Sequence, residues 1–199
     1  YFYNSFDWVL ISLAIQEASG MPFEDYVHEK VLAPLGMTAT FAENGLFTTP
    51  GQHGSLNAHM AKFYSKNHLG FRQAIAVNNY FKLAGGGFIS TSADVAKFGQ
   101  ALLEGKLFPN EMQNEFLAPQ TLNSQSTFYG LGWQVSQDRQ GRPFYGHVGN
   151  GVGGYSNFFV YPNERMVFAI LVNCTDPKVQ EELDAVIDAL ILASTKPFS

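Results

Sequence analysis

Residues 143–173 read PFYGHVGNGVGGYSNFFVYPNERMVFAILVN, and the alternation of apolar runs and turns in this stretch decides the fold. Aromatic and β-branched runs bounded by Gly, Pro and Asn predict three strands, at 142–148, 155–161 and 166–172. Asn150 to Gly154 is predicted to form a glycine-rich turn, and 162–165 a polar hairpin. The third strand is apolar on both faces, so we expect it inside a sheet that is covered on both sides.

A helix that follows the strands is expected to cover one face of this sheet. Asp176 can cap that helix, with Pro177 in its first position, where a missing N–H costs nothing. Apolar residues then recur at helical spacing and form one stripe, made of Val179, Leu183, Val186, Ile187 and Leu190. The residues upstream of the strands must cover the other face.

The upstream segments are predicted to be mainly helical. Helices are expected at 6–19, from Pro22 to just before Pro34, from the caps at 90–92 to Gly105, and at 109–117, with a weaker candidate at 56–65. Residues 37–55 look irregular, and 129–136 is predicted to be a strand. The segment Ala84-Gly85-Gly86-Gly87 marks a sharp turn or a close approach of the backbone. Helices followed by strands and a last helix predict an α+β fold with a largely antiparallel sheet.

Length and composition exclude several classes of protein. A chain of 199 residues with 46% apolar residues suits one domain, or a domain with a helical subdomain. The net charge of −5 and the lack of a basic stripe argue against nucleic acid as the main partner. Its longest wholly apolar run, Met166 to Val172, is far short of a membrane span. Cys174 is alone, so no internal disulfide is possible.

Two patterns suggest cofactors but have simpler explanations. Gly149, Gly151 and Gly154 fit the spacing G-x-G-x-x-G, yet a dinucleotide site needs a helix after the glycines and here a strand is predicted. A turn is the favoured interpretation. The three histidines of the polar stretch lack the close pairing of zinc ligands, so we expect surface histidines and neither metal nor cofactor; they are His53, His59 and His68.

Two further motifs are weak when each is taken alone. Taken alone, His147-Val148-Gly149 is better explained as a strand histidine followed by a turn glycine. Tyr3-Asn4-Ser5 precedes a predicted helix, and a tyrosine acts as a proton carrier only where nearby positive charge lowers its pKa.

Taken with their surroundings, these motifs resemble the serine β-lactamase and penicillin-binding-protein-like family, in its branch of class C β-lactamases, D-alanyl-D-alanine carboxypeptidases and esterases. The family's Y-S-N segment and two helices resemble YNSFDWVLISLAIQEASGMPFEDYVHEKVLAPLG at 3–36. Its glycine segment and helix resemble AGGGFISTSADVAKFGQALLEG at 84–105. Its closing strands resemble YGLGW at 129–133 and GHVGNGVGGYSNFFVYPNERMVFAILVN at 146–173, with His-x-Gly in place of Lys-Thr-Gly. Residues 1–128 then correspond to the mainly helical region, and 129–199 to the strands and C-terminal helix.

The resemblance implies roles for five residues. In the family, a serine of an S-x-x-K motif attacks a carbonyl and forms an acyl-enzyme. Tyr3 matches the tyrosine that shuttles the proton of this serine. His147 takes the lysine position, where it would polarise the site and meet a substrate carboxylate or the tyrosine. The others are substrate-binding: Gly149 lets substrate lie along the strand, the Asn150 N–H completes the oxyanion hole, and Ser5 replaces the usual asparagine, which puts ordinary β-lactam recognition in doubt.

No serine of this sequence is followed by lysine three positions later. In the family that motif and two further strands precede the tyrosine segment. The chain is therefore expected to be the C-terminal part of a longer serine hydrolase that acts on small-molecule or peptide amides, lactams or esters. That hydrolase would be periplasmic or secreted, as in the family, and the upstream segment would be this chain's partner. Two alternatives stay open: a binding or regulatory protein that kept the fold and lost turnover, and an independent domain whose apolar sheet edge a partner covers.

Overall fold

The computed structural model describes residues 1–42 and 60–195. The α-helices in these ranges are α1 (Asp7–Ser19), α2 (Phe23–Val27), α3 (Ser92–Leu103), α4 (Asn110–Phe116) and α5 (Gln180–Ser194). A π-helical turn (His28–Leu32) extends α2, and a 3₁₀ helix spans Tyr80–Gly85. The strands are β1 (Phe41–Ala42), β2 (Tyr64–Asn67), β3 (Gly70–Gln73), β4 (Phe88–Ile89), β5 (Thr121–Leu122), β6 (Gln125–Ser126), β7 (Gln134–Gln137), β8 (Pro143–Gly151), β9 (Gly154–Tyr161), β10 (Met166–Val172) and β11 (Cys174–Thr175). None of the described helices is long and apolar enough to cross a bilayer.

The main sheet is antiparallel and has the order β10-β9-β8-β7. Successive strands are neighbours because tight turns join them, with Met166 paired to Tyr161 and Gly151 paired to Gly154. The α+β class and the antiparallel sheet predicted from the sequence are therefore confirmed.

Helices cover both faces of the sheet and form two cores. On the α5 face the buried residues are Phe159, Tyr161, Phe168, Ile187 and Ile191. On the α3 face they are Leu102, Tyr145 and Val160, with Phe98 and Trp133 packed beside them. Since alternate residues of a strand share a face, His147 points to the same side as Tyr145, toward the helical layer.

The predicted starts and ends of several helices agree with local capping chemistry. α1 ends at Gly20, which adopts the left-handed conformation at φ +68°. α3 begins after Thr91, whose Oγ1 accepts a hydrogen bond from the Asp94 N–H at 3.2 Å. These two helices place the Tyr3 segment and the glycine segment beside the sheet.

The C-terminal helix starts later than predicted, and its predicted apolar stripe is right at Leu183 and Ile187 but wrong at Val186 and Leu190. It begins at Gln180 because Asp176, at φ +40°, turns the chain away, and the Asp176 N–H donates to the Asn150 Oδ1 at 2.9 Å. Ile187 and Ile191 are its buried residues, whereas Val186 and Leu190, which the predicted stripe included, are about half exposed.

Four predictions for the strands and turns also need correction. β10 is an edge strand of the described sheet and not an inner one, although α3 and α5 cover its two faces as predicted. The 150–154 turn shrinks to Val152 and Gly153, since pairing continues to Gly151. The strand predicted at 129–136 begins at Gln134. The helix predicted at 56–65 is contradicted at Tyr64 and Ser65, which pair with β3 and β11, and its residues 56–59 lie outside the described ranges.

Candidate active site

Tyr3 and His147, from opposite ends of the chain, lie side by side. Their ring centroids are 5.5 Å apart. The turn that starts α1 sets the position of Tyr3, because the Asn4 Oδ1 accepts a hydrogen bond from the Phe6 N–H at 3.1 Å. The Trp8 Nε1–H donates to the Tyr3 hydroxyl oxygen at 3.2 Å. Tyr3 as a whole stays 42% exposed.

A third aromatic residue, Tyr129, completes this cluster. Its hydroxyl lies 2.8 Å from the His147 Nε2, and its ring centroid is 5.7 Å from that of Tyr3. Tyr129 was not among the site residues predicted from the sequence, although it opens the YGLGW motif that carried part of the resemblance. The motif was the available signal, but only the folded chain shows what the hydroxyl contacts.

The hydrogen bonds of His147 define its protonation state. Its Nδ1 lies 2.7 Å from the Val148 carbonyl oxygen, which can only accept, so Nδ1 carries a proton. Burial lowers the pKa of His147, which keeps the ring neutral at pH 7. The Nε2 of a neutral ring with a protonated Nδ1 is an acceptor, so the Tyr129 hydroxyl donates to it. Burial also raises the pKa of Tyr129 and keeps its proton in place.

The end of β8 beyond His147 presents an open edge. β7 pairs with β8 only as far as Gly146, and no other described strand pairs with that side of 147–151. In a two-residue hairpin the closing pair, Gly151 and Gly154, is hydrogen bonded, and bonded pairs alternate along the ladder. The Asn150 N–H therefore faces away from β9, toward the open edge.

Glycines allow close packing around this edge. A Cβ on Gly149 would lie 2.5 Å from the Ser156 Oγ, so only glycine fits opposite that serine. A Cβ on Gly85 would collide with the Ser5 carbonyl oxygen. The backbone of Ser5 thus lies against the glycine segment. Next to Ser5 lie Tyr3, His147 and the open edge of β8.

The described residues offer no metal centre. No group of three or more His, Cys, Asp or Glu side chains in the described ranges could hold an ion. His68 is exposed at the β2–β3 turn, whereas His53 and His59 lie outside those ranges. The glycines of the G-x-G-x-x-G pattern lie on the β8–β9 hairpin and precede a strand, as the turn interpretation predicted.

Comparison with known proteins identifies the family. The sequence profile of the Beta-lactamase family matches residues 1–193, nearly the whole chain. The chain belongs to the Beta-lactamase family. The resemblance found in the sequence motifs is thereby confirmed, and the aromatic cluster lies in a Beta-lactamase-family fold.

Curated relatives of this Beta-lactamase-family chain are much longer than it is. The human protein "Serine beta-lactamase-like protein LACTB, mitochondrial" is 29% identical over 194 residues, which cover 82% of this chain and 33% of the relative. Penicillin-binding protein 4* of Bacillus subtilis (strain 168) is 24% identical, with 86% of this chain and 39% of the relative covered. The chain thus spans between a third and two-fifths of these relatives.

Solved structures agree on the fold. D-amino acid amidase from Ochrobactrum anthropi SV3, in complex with L-phenylalanine amide, superposes with a TM-score of 0.81 at 21% identity, over 98% of this chain and 58% of the amidase. The octameric penicillin-binding protein homologue from Pyrococcus abyssi superposes with a TM-score of 0.77 at 22% identity, over 97% of this chain and 43% of the homologue. At such identities the likeness establishes the architecture alone.

Proposed function

We propose that this chain carries the tyrosine and histidine part of an acyl-transfer site in a serine hydrolase of the Beta-lactamase family. The observation that supports it best is the convergence of Tyr3 and His147 at the unpaired end of β8. Core packing alone gives no reason to bring two polar rings from opposite ends of the chain together beside an open strand edge.

Each part of the cluster matches a requirement of acyl transfer. The Tyr3 hydroxyl is the carrier of the nucleophile's proton. Because His147 beside it is neutral, the positive charge that this role requires comes from the lysine of the S-x-x-K motif. The Asn150 N–H is one oxyanion donor, a contribution worth about 10²–10³ in rate where a single donor has been removed from an enzyme. An extended substrate adds to the open edge of β8 as a further strand, through main-chain hydrogen bonds.

The nucleophile comes, in this proposal, from a serine outside the 199 residues. The motif S-x-x-K does not occur among them, and the curated relatives extend well beyond the matched part. The scissile bond is an amide, a lactam or an ester, and the solved D-amino acid amidase of similar fold makes an amide one of the substrates to test.

A second candidate is a binding protein that retains the fold without turnover. Both nitrogens of His147 already have partners, the Val148 carbonyl and the Tyr129 hydroxyl, which favours a static role for the ring. A binding protein of this kind would take up the same ligands without forming an acyl-enzyme.

Fluorophosphonate labelling of the full-length protein decides between the two. We expect one covalent adduct per molecule, which mass spectrometry places on a serine that precedes Tyr1 and is followed by lysine three positions later. The same reagent should leave residues 1–199 unmodified. An adduct on a serine within residues 1–199, or the absence of any adduct on the folded protein, would contradict the proposed enzyme.

A further inference from the structure

The contacts of Tyr129 assign it a role that follows from the proposed function. We propose that Tyr129 is a positioning residue, which holds the neutral imidazole of His147 in one tautomer and one orientation beside Tyr3. The inference concerns the contact between Tyr129 and His147, and it uses the proposed reaction only to predict kinetic effects.

Two hydrogen bonds at opposite sides of the ring fix His147. The Val148 carbonyl oxygen lies 2.7 Å from Nδ1 and the Tyr129 hydroxyl 2.8 Å from Nε2, so rotation of the ring by half a turn would break both bonds. The Tyr129 and His147 rings meet edge to face, at an interplanar angle of 89° with centroids 5.7 Å apart. The ring therefore has one hydrogen-bonded arrangement.

The loop around Tyr129 holds the tyrosine firmly. The Tyr129 carbonyl accepts from the Gln120 N–H at 2.9 Å and from the Thr127 hydroxyl at 3.1 Å. Phe128, the residue before it, adopts φ +54°, a conformation that is unusual for an aromatic residue and that persists only where its surroundings impose it. A Cβ on Gly130, the residue after it, would collide with the Phe116 carbonyl oxygen. A loop constrained on both sides of Tyr129 presents its hydroxyl at a defined place.

A histidine at position 147 needs a hydrogen-bond partner that fixes its ring, whereas a lysine there does not. The ammonium of lysine is a compact donor that rotates to meet its ligand. The two nitrogens of histidine differ, and the hydrogen bond at one of them sets which atom carries the proton. Tyr129 thus makes the replacement of lysine by His147 workable in this site. Burial raises the pKa of Tyr129, so its hydroxyl keeps the proton that it donates to the His147 Nε2.

A double-mutant cycle in the full-length protein tests this role. With a neutral ester as substrate, Tyr129→Phe is expected to lower kcat/KM about 3- to 10-fold, the net worth of one hydrogen bond. In the His147→Ala background the same substitution should have no further effect, because Tyr129 acts only through His147. Tyr145→Phe is the matched control: it lies two residues before His147 on the same face of β8, within the α3 core, and its effect should be the same in both backgrounds.

A second double-mutant cycle measures equilibrium unfolding and does not depend on activity. It uses the parent, Tyr129→Phe, His147→Ala and the double variant. Tyr129→Phe and His147→Ala should be coupled about 2- to 10-fold in the equilibrium constant for unfolding, again the net worth of one hydrogen bond. Additivity in unfolding, or equal kinetic losses from Tyr129→Phe in both backgrounds, would overturn the positioning role. A wild-type protein that hydrolyses no ester, with the unfolding coupling present, would instead overturn the proposed function and leave the contact between Tyr129 and His147 intact.

Discussion

Tyr3→Phe is expected to lower the acylation rate of the full-length protein by about 10²–10⁴, the usual effect of removing one positioned proton carrier. The substitution removes only the hydroxyl, which accepts a hydrogen bond from the Trp8 Nε1–H, and keeps the ring contacts with His147 and Tyr129. Since Tyr3 is 42% exposed, the free energy of unfolding should change by less than about 1 kcal/mol.

Single-turnover kinetics with a chromogenic ester measures the Tyr3→Phe effect directly, because the acylation step is then observed by itself. Tyr26→Phe, which removes a tyrosine hydroxyl from α2 and far from the cluster in sequence, should retain the parent rate. Equal kcat/KM values for Tyr3→Phe and the parent would exclude Tyr3 from the mechanism.

His147→Ala is expected to lower kcat/KM at pH 7 by about 10- to 100-fold, the net worth of its two hydrogen bonds, and by the same factor for neutral esters and for substrates with a carboxylate. A cationic anchor at the lysine position would favour carboxylates. His147 is neutral in this structure, because burial lowers its pKa, so its loss removes ring contacts and hydrogen bonds but no charge. The measurement is a comparison of kcat/KM for a matched pair of esters, with and without the carboxylate.

The pH dependence of this effect has a definite sign. The pKa of His147 lies below the ordinary value of about 6.5, so the imidazolium becomes populated only as the pH falls below that value. The parent should therefore gain relative activity on carboxylate substrates toward pH 5, and His147→Ala should not. A loss confined to carboxylate substrates at pH 7 would show instead that His147 is already cationic there.

The strands β8, β9 and β10 could be predicted from the sequence because local rules determine them, whereas β2 and β3 were missed. The third strand was predicted at the bounds that the structure has, Met166–Val172, since a continuous apolar run ends at the polar turn on one side and at Asn173 on the other. Helix ends with Thr91 and Gly20 were likewise predicted from capping residues. In each case the deciding interaction involves residues that are close in sequence.

The start of α5 could not be predicted because a distant residue decides it. The Asp176 N–H bonds to the Asn150 side chain, 26 residues away, and the chain turns there instead of starting a helix. The buried face of α5 likewise depends on how the helix docks on Phe159 and Phe168, which periodicity alone does not specify.

The candidate site, like the fold, could be predicted from the sequence only in part. Tyr3 and His147 stand out in the sequence only through the motifs that resemble the family, and neither residue is decisive alone. Their adjacency, the neutral state of His147 and the contact with Tyr129 depend on packing between segments far apart in the chain. The roles of Tyr3, Ser5, His147, Gly149 and Asn150 in catalysis remain predictions for the experiments above.

A crystal structure of the full-length protein with a covalent fluorophosphonate or boronate adduct tests the acyl-transfer site most directly. We predict that the adduct lies between Tyr3 and the open edge of β8, with its oxygen about 2.7–3.1 Å from the Asn150 nitrogen. The modified serine oxygen should lie within about 3.2 Å of the Tyr3 hydroxyl, the reach that proton transfer requires. An adduct formed elsewhere on the molecule, with the space between Tyr3 and the open edge of β8 empty, would contradict the proposed site.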